Sequence, residues 1–127
     1  MFAPTHAFSG FSVDDIDAAI EFYGTTLGLS VQKNAMGALD LELPGGARVF
    51  VYPKDDHQPA TFTILNLVVD DVEAAVDELN GRGVVTKIYD GLHTDEKGIA
   101  RGSATGQGPD IAWFRDPAGN VLSVLNS

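Results

Sequence analysis

Residues 8–21 read FSGFSVDDIDAAIE, and residues 64–77, which begin 56 positions later, read ILNLVVDDVEAAVD. Five positions of the two stretches are identical, and four more exchange Ile for Val or Asp for Glu. Each copy contains an apolar run typical of a strand, the sequence VDD, and a stretch with apolar residues at helical spacing. Such an internal repeat predicts two copies of one supersecondary unit.

Each copy predicts a short amphipathic helix after the VDD sequence. Asp14 and Asp70 are the predicted N-caps, and Asp17 and Glu73, three residues later, are the predicted capping-box partners. The residues predicted to be buried are Ile16, Ala19, Ile20 and Tyr23 in the first helix and Val72, Ala75, Val76 and Leu79 in the second. The predicted helix ends are Gly24 or Gly28 and the pair Gly81 and Gly83.

Three strands are predicted after each helix, so the predicted order is βαβββ twice. The first set is Leu29–Lys33, Ala38–Leu43 and Ala47–Tyr52, and the second set is Val84–Tyr89, Asp110–Phe114 and Val121–Leu125. Residues 44–46 and 116–120 are predicted turns. Residues 99–104, within the Gly-rich stretch from Asp90 to Gly108, are either a further strand or a mobile loop. The sequence thus predicts one α+β domain, residues 1–127, with module one at 1–53, a linker at 54–60 and module two at 61–127.

Composition narrows the classes of function. The chain of 127 residues has no cysteine, which excludes thiol nucleophiles, CxxC redox chemistry and Cys-ligated metals. A net charge of −10 disfavours binding to nucleic acid and to anionic membranes. The sequence shows neither an apolar run of membrane-spanning length nor the features of a signal peptide. We therefore expect a cytoplasmic protein.

Two further motifs accompany the repeat. The first helix runs into FYGTTLGL at residues 22–29, and DPAGN at residues 116–120 precedes the last predicted strand. With two βαβββ modules, the patterns FY-x₃-LG-L and DP-x-GN resemble the vicinal oxygen chelate superfamily, which includes glyoxalase I, extradiol dioxygenases and bleomycin-resistance proteins. The resemblance implies two curled mixed sheets that form a cup, helices on the outer face, and, in the enzymes, a divalent metal ion in the cup.

The same resemblance locates the family's metal-ligand positions in this chain. They fall at Phe8 and Ile64 on the first strands and at Phe50 and Ser123 on the last strands. Phenyl and aliphatic side chains have no lone pairs to offer a metal, and one serine is a poor ligand. The three histidines, His6, His57 and His93, lie outside the predicted central strands. We therefore expect neither a metal ion nor another cofactor.

Alternation along the predicted strands sorts the side chains onto two faces. The residues predicted to face the helices are Phe11, Val13, Val49, Val51, Leu65, Leu67, Val69, Leu122 and Val124. The opposite face carries Phe8, Gly10, Ser12, Asp40, Glu42, Arg48, Phe50, Tyr52, Ile64, Asn66, Val68, Trp113, Val121 and Ser123. Apolar walls with a few polar groups are typical of a small-molecule pocket. The candidate ligand-binding residues are Phe8, Arg48, Phe50, Tyr52, Asn66, Trp113 and Ser123.

Several of these candidates have a structural alternative. Asn66 is either a hydrogen-bonded structural residue or a ligand contact, and Arg48 either binds ligand or pairs with Asp40 or Glu42 across the sheet. Trp113 and Tyr52 belong either to the pocket or to a core or interface. Asp40 and Glu42 form either a carboxylate pair or part of a solvated edge strand, and no catalytic residue is assigned.

Three hypotheses of function follow. The first is a metal-free binder of a small aromatic or antibiotic-like molecule, which the aromatic residues at the former ligand positions favour. The second is a glyoxalase-like lyase or isomerase, or a dioxygenase-type enzyme, with an atypical site. The third is an interaction module with a filled cup. The resemblance also implies a homodimer, and the expected partner is a small molecule rather than nucleic acid or a membrane.

Overall fold

The chain divides into two compact units, residues 1–59 and 60–127. A computed structural model describes residues 1–90 and 93–127. Each unit contains one four-stranded mixed sheet and a helix that follows its first strand. The predicted linker, residues 54–60, includes the boundary between the units.

Unit 1 has the order βαβββ. Its elements are β1 (Ser9–Val13), α1 (Ile16–Ile20) with a π-helical continuation (Glu21–Thr26), β2 (Ser30–Lys33), β3 (Leu39–Glu42) and β4 (Arg48–Pro53). The strands lie in the order β1-β4-β3-β2, with β1 parallel to β4 and the other pairs antiparallel. The last strand of the unit is therefore internal to the sheet and pairs with the first.

Unit 2 repeats this sheet topology and has one additional short helix between its second and third strands. Its elements are β5 (Thr63–Val68), α2 (Val72–Gly81), β6 (Ile99–Arg101), a short helix α3 (Gly102–Thr105), β7 (Asp110–Arg115) and β8 (Val121–Leu125). The strands lie in the order β5-β8-β7-β6, with β5 parallel to β8. The predicted α+β class and the tandem βαβββ modules are thus confirmed.

The strand predicted at Val84–Tyr89 is wrong. Among the described residues, the first strand after α2 is β6, which lies within the segment left open between strand and loop. Residues 84–89 are held by side chains instead: Asn80 Nδ2 donates to Val84 O and to Thr86 Oγ1, and Thr86 Oγ1 donates to Lys97 O. Gly91 and Leu92, in the adjoining Gly-rich stretch, lie outside the described residues.

The helix caps fall one residue later than predicted. Asp15 and Asp71, not Asp14 and Asp70, are the N-caps, and both have extended backbones. Asp15 Oδ1 accepts hydrogen bonds from the N–H groups of residues 17 and 18, and Asp71 Oδ1 accepts one from residue 74. Because the caps shift by one, Glu73 stands at the second helical position and cannot complete a capping box.

The first helix ends at the predicted Gly28, whose φ of +72° is the left-handed conformation that favours glycine. Before it, the π-helical segment contains Gly24, so this glycine does not end the helix. A Cβ on Gly24 would lie 2.8 Å from a methyl carbon of Val31. The FY-x₃-LG-L motif is thus explained by local packing: Phe22 and Tyr23 are buried, with their ring centroids 5.1 Å apart.

Four tight turns in the part of the chain that the structure describes share one backbone pattern. In each, the first residue's N–H donates to the carbonyl four residues later, and the fourth residue's N–H donates back to the first carbonyl. The fourth residue is a glycine with positive φ in every case. The turns begin at Asn34, Leu43, Asp95 and Asp116. Each is a three-residue hairpin loop that ends in a left-handed glycine, and in the turn that begins at Leu43 the third residue, Gly45, has a positive φ as well.

The core side of each sheet largely matches the face predicted by alternation. Six of the nine residues predicted to face the helices are buried: Val13, Val49, Val51, Leu65, Leu122 and Val124. On the opposite face, Val121 and Ser123 are also buried, so that face of β8 is less exposed than alternation alone suggests. Among residues 1–90 and 93–127, no helix is long and apolar enough to span a membrane.

Candidate functional site

A groove of about 760 Å³ lies in unit 1, and we call it the unit 1 groove. It is formed by the chain that leads into β1, the β2–β3 turn and the beginning of β4. Its apolar lining comprises Ala7, Phe8, Met36, Ala47, Val49 and Phe50. Its polar lining comprises His6, Ser9, Asn34, Asp40 and Arg48. A concave surface with apolar walls and a few polar groups suits a small molecule.

Three aromatic rings run in series along the β1–β4 side of this unit. Phe8 meets Phe50 edge to face with ring centroids 6.3 Å apart, and Phe50 stacks on Tyr52 at 5.8 Å with an interplanar angle of 24°. Phe8 is 63% exposed, whereas Phe50 and Tyr52 are half-buried. The structure thus brings together three of the predicted site residues and leaves the outermost ring open to solvent.

Arg48, the fourth predicted site residue of unit 1, lines the groove at the start of β4. In the register it lies directly across from Glu42 on β3. Of the two alternatives for Arg48, the ion pair with Asp40 or Glu42 is not formed, because the Arg48 guanidinium pairs with no carboxylate in the described part of the chain. The side chain is exposed, and an ion pair between exposed side chains is worth little.

Sequence reasoning missed part of the groove. Asn34 and Met36 come from the β2–β3 turn, and His6 comes from the chain before β1. The spacing Asn34-x-x-Gly37 was a usable signal, since Asn34 Oδ1 accepts from the N–H groups of residues 36 and 38 and so fixes the turn. Met36, at the tip of that turn, is 76% exposed.

A side-chain hydrogen bond lies farther along β1. A 2.7 Å hydrogen bond joins Ser12 Oγ and His57 Nδ1, and Ser12 is the cross-strand neighbour of Tyr52. The turn from Lys54 to His57 carries this histidine back to the sheet, since His57 N–H donates to Lys54 O. The sequence pattern places His57 in the linker and does not predict this contact.

The other three predicted site residues lie in unit 2, on a single rung of its sheet. Ser123 on β8 pairs in register with Asn66 on β5 and with Trp113 on β7. Ser123 Oγ donates to Asn66 Oδ1 at 2.6 Å, and Ser123 is fully buried. The indole of Trp113 meets the ring of Tyr89 edge to face, with centroids 5.6 Å apart.

The rung of Ser123 has a counterpart in unit 1. There Phe50 on β4 lies between Gly10 on β1 and Asp40 on β3. The two sheets therefore place Phe50 and Ser123 at equivalent positions, as the repeat predicts. The equivalence is less regular at the first strands, because the β5–β8 register shifts between Thr63 and Leu65. Ile64 is the extra residue of this bulge.

These residues do not fit the divalent metal that the family's enzymes hold. Phe8, Phe50 and Ile64 have no donor atoms, and the hydroxyl of Ser123 is engaged with Asn66. Within residues 1–90 and 93–127, no three His, Asp or Glu side chains are grouped so that they could hold a metal ion. The groove supplies one histidine and one carboxylate, His6 and Asp40, which is too few for a stable site.

Comparisons with known proteins agree with this architecture. The chain matches the model of the glyoxalase/bleomycin resistance protein/dioxygenase superfamily over residues 5–124. It is similar to a member of that superfamily from Sphaerobacter thermophilus, with 22% identity, a TM-score of 0.68, and coverage of 96% of this chain and 98% of that chain. No curated protein sequence matches the chain.

Two other solved structures show the same fold. A glyoxalase/bleomycin resistance protein from a Streptomyces species is 26% identical, with a TM-score of 0.61 and coverage of 94% of this chain and 100% of that chain. An integron cassette protein from the mobile metagenome of Halifax Harbour sewage outfall is 19% identical, with a TM-score of 0.69 and coverage of 98% and 100%. The family match and the two βαβββ units lead to one conclusion: the chain belongs to the glyoxalase/bleomycin resistance protein/dioxygenase superfamily.

Proposed function

We propose that this protein binds a small planar aromatic molecule in the unit 1 groove and does so without a metal ion. The observation that carries the proposal is the aromatic series of Phe8, Phe50 and Tyr52, whose first two rings line the groove while Phe8 remains largely exposed. When a flat ligand displaces water from an exposed phenyl ring in a concave surface, the burial of that ring stabilises the complex.

The chemistry of the former metal positions supports a binder rather than a metal-dependent enzyme. A metal would polarise a substrate oxygen or activate a water molecule, and this chain places phenyl rings where that chemistry needs donors. Phenyl rings supply affinity by contact area and by stacking, worth about 0.5–1.5 kcal/mol per ring pair beyond area burial. These positions therefore contribute to ligand binding rather than to metal-dependent catalysis.

The test is calorimetric titration with a panel of planar aromatic compounds, indole among them, and with their saturated ring counterparts. We expect the aromatic members to bind more tightly, and chelator treatment of the protein to leave binding unchanged. Phe8→Ala should weaken binding about three- to tenfold, which corresponds to one aromatic pair. Phe8 is exposed, so this variant should fold normally.

A matched control is Phe62→Ala, which removes a phenyl ring that is 69% exposed in unit 2 and outside the groove. It should bind the aromatic panel as the unmodified protein does. The proposal is overturned if no aromatic compound binds, if binding requires an added metal ion, or if both alanine variants have the same effect.

A further inference from the structure

The unit 1 groove contains two opposite full charges that do not neutralise each other. Arg48 and Asp40 both line it, and neither forms an ion pair within residues 1–90 and 93–127. Half of the chain's eight Lys and Arg residues do form such pairs: Lys54, Arg82, Lys97 and Arg101. Unpaired charges of both signs thus stand in the same concave surface.

Phe50 lies beside both charges. Asp40 is its direct cross-strand neighbour on β3, and Arg48 precedes it by two residues on β4, on the same face of the sheet. Two residues along a strand span roughly 6.4–6.8 Å, within reach of a long Arg side chain and a short ligand. A ring that contacts Phe50 therefore lies close to a carboxylate and to a guanidinium.

The two charges also differ in their surroundings. Asp40 is half-buried, and its carboxylate accepts no hydrogen bond from another described residue. A carboxylate partly removed from water gains from a cationic partner. Arg48 is exposed and presents a planar fork whose geometry matches a carboxylate. A ligand with only one charge would leave the other of these two groups unpaired.

We propose that the unit 1 groove takes a zwitterionic aromatic molecule of the amino acid class. Its carboxylate is bound by Arg48, its ammonium group by Asp40, and its ring by Phe8 and Phe50. This inference rests on the proposed binding of planar aromatic molecules to the same groove. A zwitterion carries no net charge, so the net charge of −10 on the chain does not oppose its approach.

The experiment compares four ligands with one ring system and different charges. Tryptophan is zwitterionic, tryptophanamide is a cation, indolepropionate is an anion, and indole is neutral. In calorimetric titrations at low salt, we expect tryptophan to bind about tenfold more tightly than either singly charged analogue, since each partly exposed charged contact contributes modestly. Added salt should reduce this advantage.

Two variants assign the charges separately. Arg48→Gln should lower the affinity for tryptophan to that for tryptophanamide and leave the affinity for tryptophanamide unchanged. Asp40→Asn should lower the affinity for tryptophan to that for indolepropionate. Arg115→Gln is the matched control, because Arg115 is an exposed β-strand arginine of unit 2 that lies outside the groove. It should change none of the four affinities.

The outcomes separate this inference from the proposed function. If indole binds in a manner that depends on Phe8 but tryptophan gains nothing over it, the aromatic groove stands and the zwitterion proposal is wrong. If Arg48→Gln and Arg115→Gln have equal effects on tryptophan binding, the role of Arg48 is refuted. If none of the four ligands binds, the proposal for indole-type ligands and the zwitterion inference both fail.

Discussion

Ser123 and Asn66 are joined across β8 and β5 by a hydrogen bond of 2.6 Å from Oγ to Oδ1. Ser123 is fully buried while Asn66 is exposed, so the contact fixes a solvent-facing carboxamide through an interior hydroxyl. The Asn66 carboxamide oxygen is occupied by Ser123, which leaves its Nδ2 group as the donor toward solvent. Ser123, which the family resemblance places at a metal-ligand position, is thus one member of a neutral hydrogen-bonding pair.

We expect Asn66→Ala to destabilise the protein by about 1–2 kcal/mol, because it leaves a buried hydroxyl without its acceptor. Ser123→Ala should cost about 1 kcal/mol, and the double variant should show a coupling energy of similar size. Urea unfolding measures all three. Ser30→Ala, at an exposed position of edge strand β2, is the control and should change stability little. Strict additivity of the two substitutions would argue against the pair.

The donor chemistry of the four former ligand positions predicts the metal content of the purified protein. We expect elemental analysis of untagged protein to find Zn, Ni, Fe and Mn far below one equivalent per chain, since three of the four positions lack donor atoms. Glyoxalase I activity should stay at background when Ni or Zn is added. One equivalent of any of these metals that survives dialysis would contradict the expectation.

Two turn glycines offer a matched test of close packing. Gly37 and Gly98 occupy the same position in two of the shared turns, with φ of +76° and +84°. A Cβ on Gly37 would meet nothing within 4 Å, whereas one on Gly98 would lie 2.0 Å from the carbonyl oxygen of Thr86. Gly37→Ala should therefore cost about 1–2 kcal/mol, for the left-handed backbone alone.

Gly98→Ala should cost at least about 3 kcal/mol, because the obstructing atom belongs to the backbone. Thr86 cannot move aside freely, since its side chain bonds both Lys97 O and Asn80 Nδ2. Thermal unfolding of the two variants measures the difference. Equal losses of stability would show that residues 84–89 can shift away from the turn.

The carboxyl of Asp95 predicts a dependence of stability on pH. Burial acts to raise the pKa of Asp95, but hydrogen bonds from the N–H groups of Ile99 and Lys97, together with Arg101, outweigh it and hold the pKa below its ordinary value. A carboxyl with a lowered folded-state pKa stabilises the protein above its unfolded-state pKa. That contribution is lost as the pH falls through the folded-state pKa.

We therefore expect Asp95→Asn to be less stable than the unmodified protein by about 0.5–1 kcal/mol at neutral pH, the usual size of a partly exposed ion pair. The difference should shrink from about pH 4 downward, where the carboxyl of the unfolded chain takes up a proton, and it should vanish once the pH has fallen through the folded-state pKa. Denaturant titrations at a series of pH values measure it. Asp55→Asn, in the exposed linker, is the control. A stability difference between Asp95→Asn and the unmodified protein that grows as the pH falls would contradict the prediction.

Features that depend on local pattern could be predicted from the sequence. The repeat and the helical spacing after each VDD gave the βαβββ order, and the turn at residues 116–120 followed from its Asp, Pro and Gly. In the structure Asp116 Oδ1 accepts from the N–H groups of residues 118 and 120, and Oδ2 accepts from Asn120 Nδ2. The DP-x-GN motif is thus explained by the turn itself.

Features that depend on tertiary contacts could not be predicted. The sequence VVTKIY at residues 84–89 has strong strand propensity, yet Thr86 bonds through its side chain and the strand that pairs with β7 is β6. Adjacent aspartates made the caps ambiguous, and Glu73, the expected capping partner, instead pairs with Arg101 and Lys97. These ion pairs join positions more than 20 residues apart in sequence.

The candidate site, too, could be predicted only in part from the sequence. Alternation placed Phe50 and Tyr52 off the buried face of β4, because that pattern is fixed by the strand itself, whereas Phe8 lies just before β1. Asn34 and Met36 enter the groove through the β2–β3 turn, whose position no alternation pattern encodes. The absence of an ion pair at Arg48 likewise depends on side-chain geometry rather than on the register that places Glu42 across from it.

The pairing of each unit's first strand with its last has a consequence for the order of folding. Ser9 pairs with Val49, 40 residues away, and Thr63 pairs with Val121, 58 residues away. Closing the longer loop costs only about 0.3 kcal/mol more, since loop entropy grows with the logarithm of length. In both units, however, the antiparallel hairpins form from near neighbours, whereas the parallel contact must wait for the most distant segments. The parallel closure is therefore the step expected to limit the folding rate of each unit.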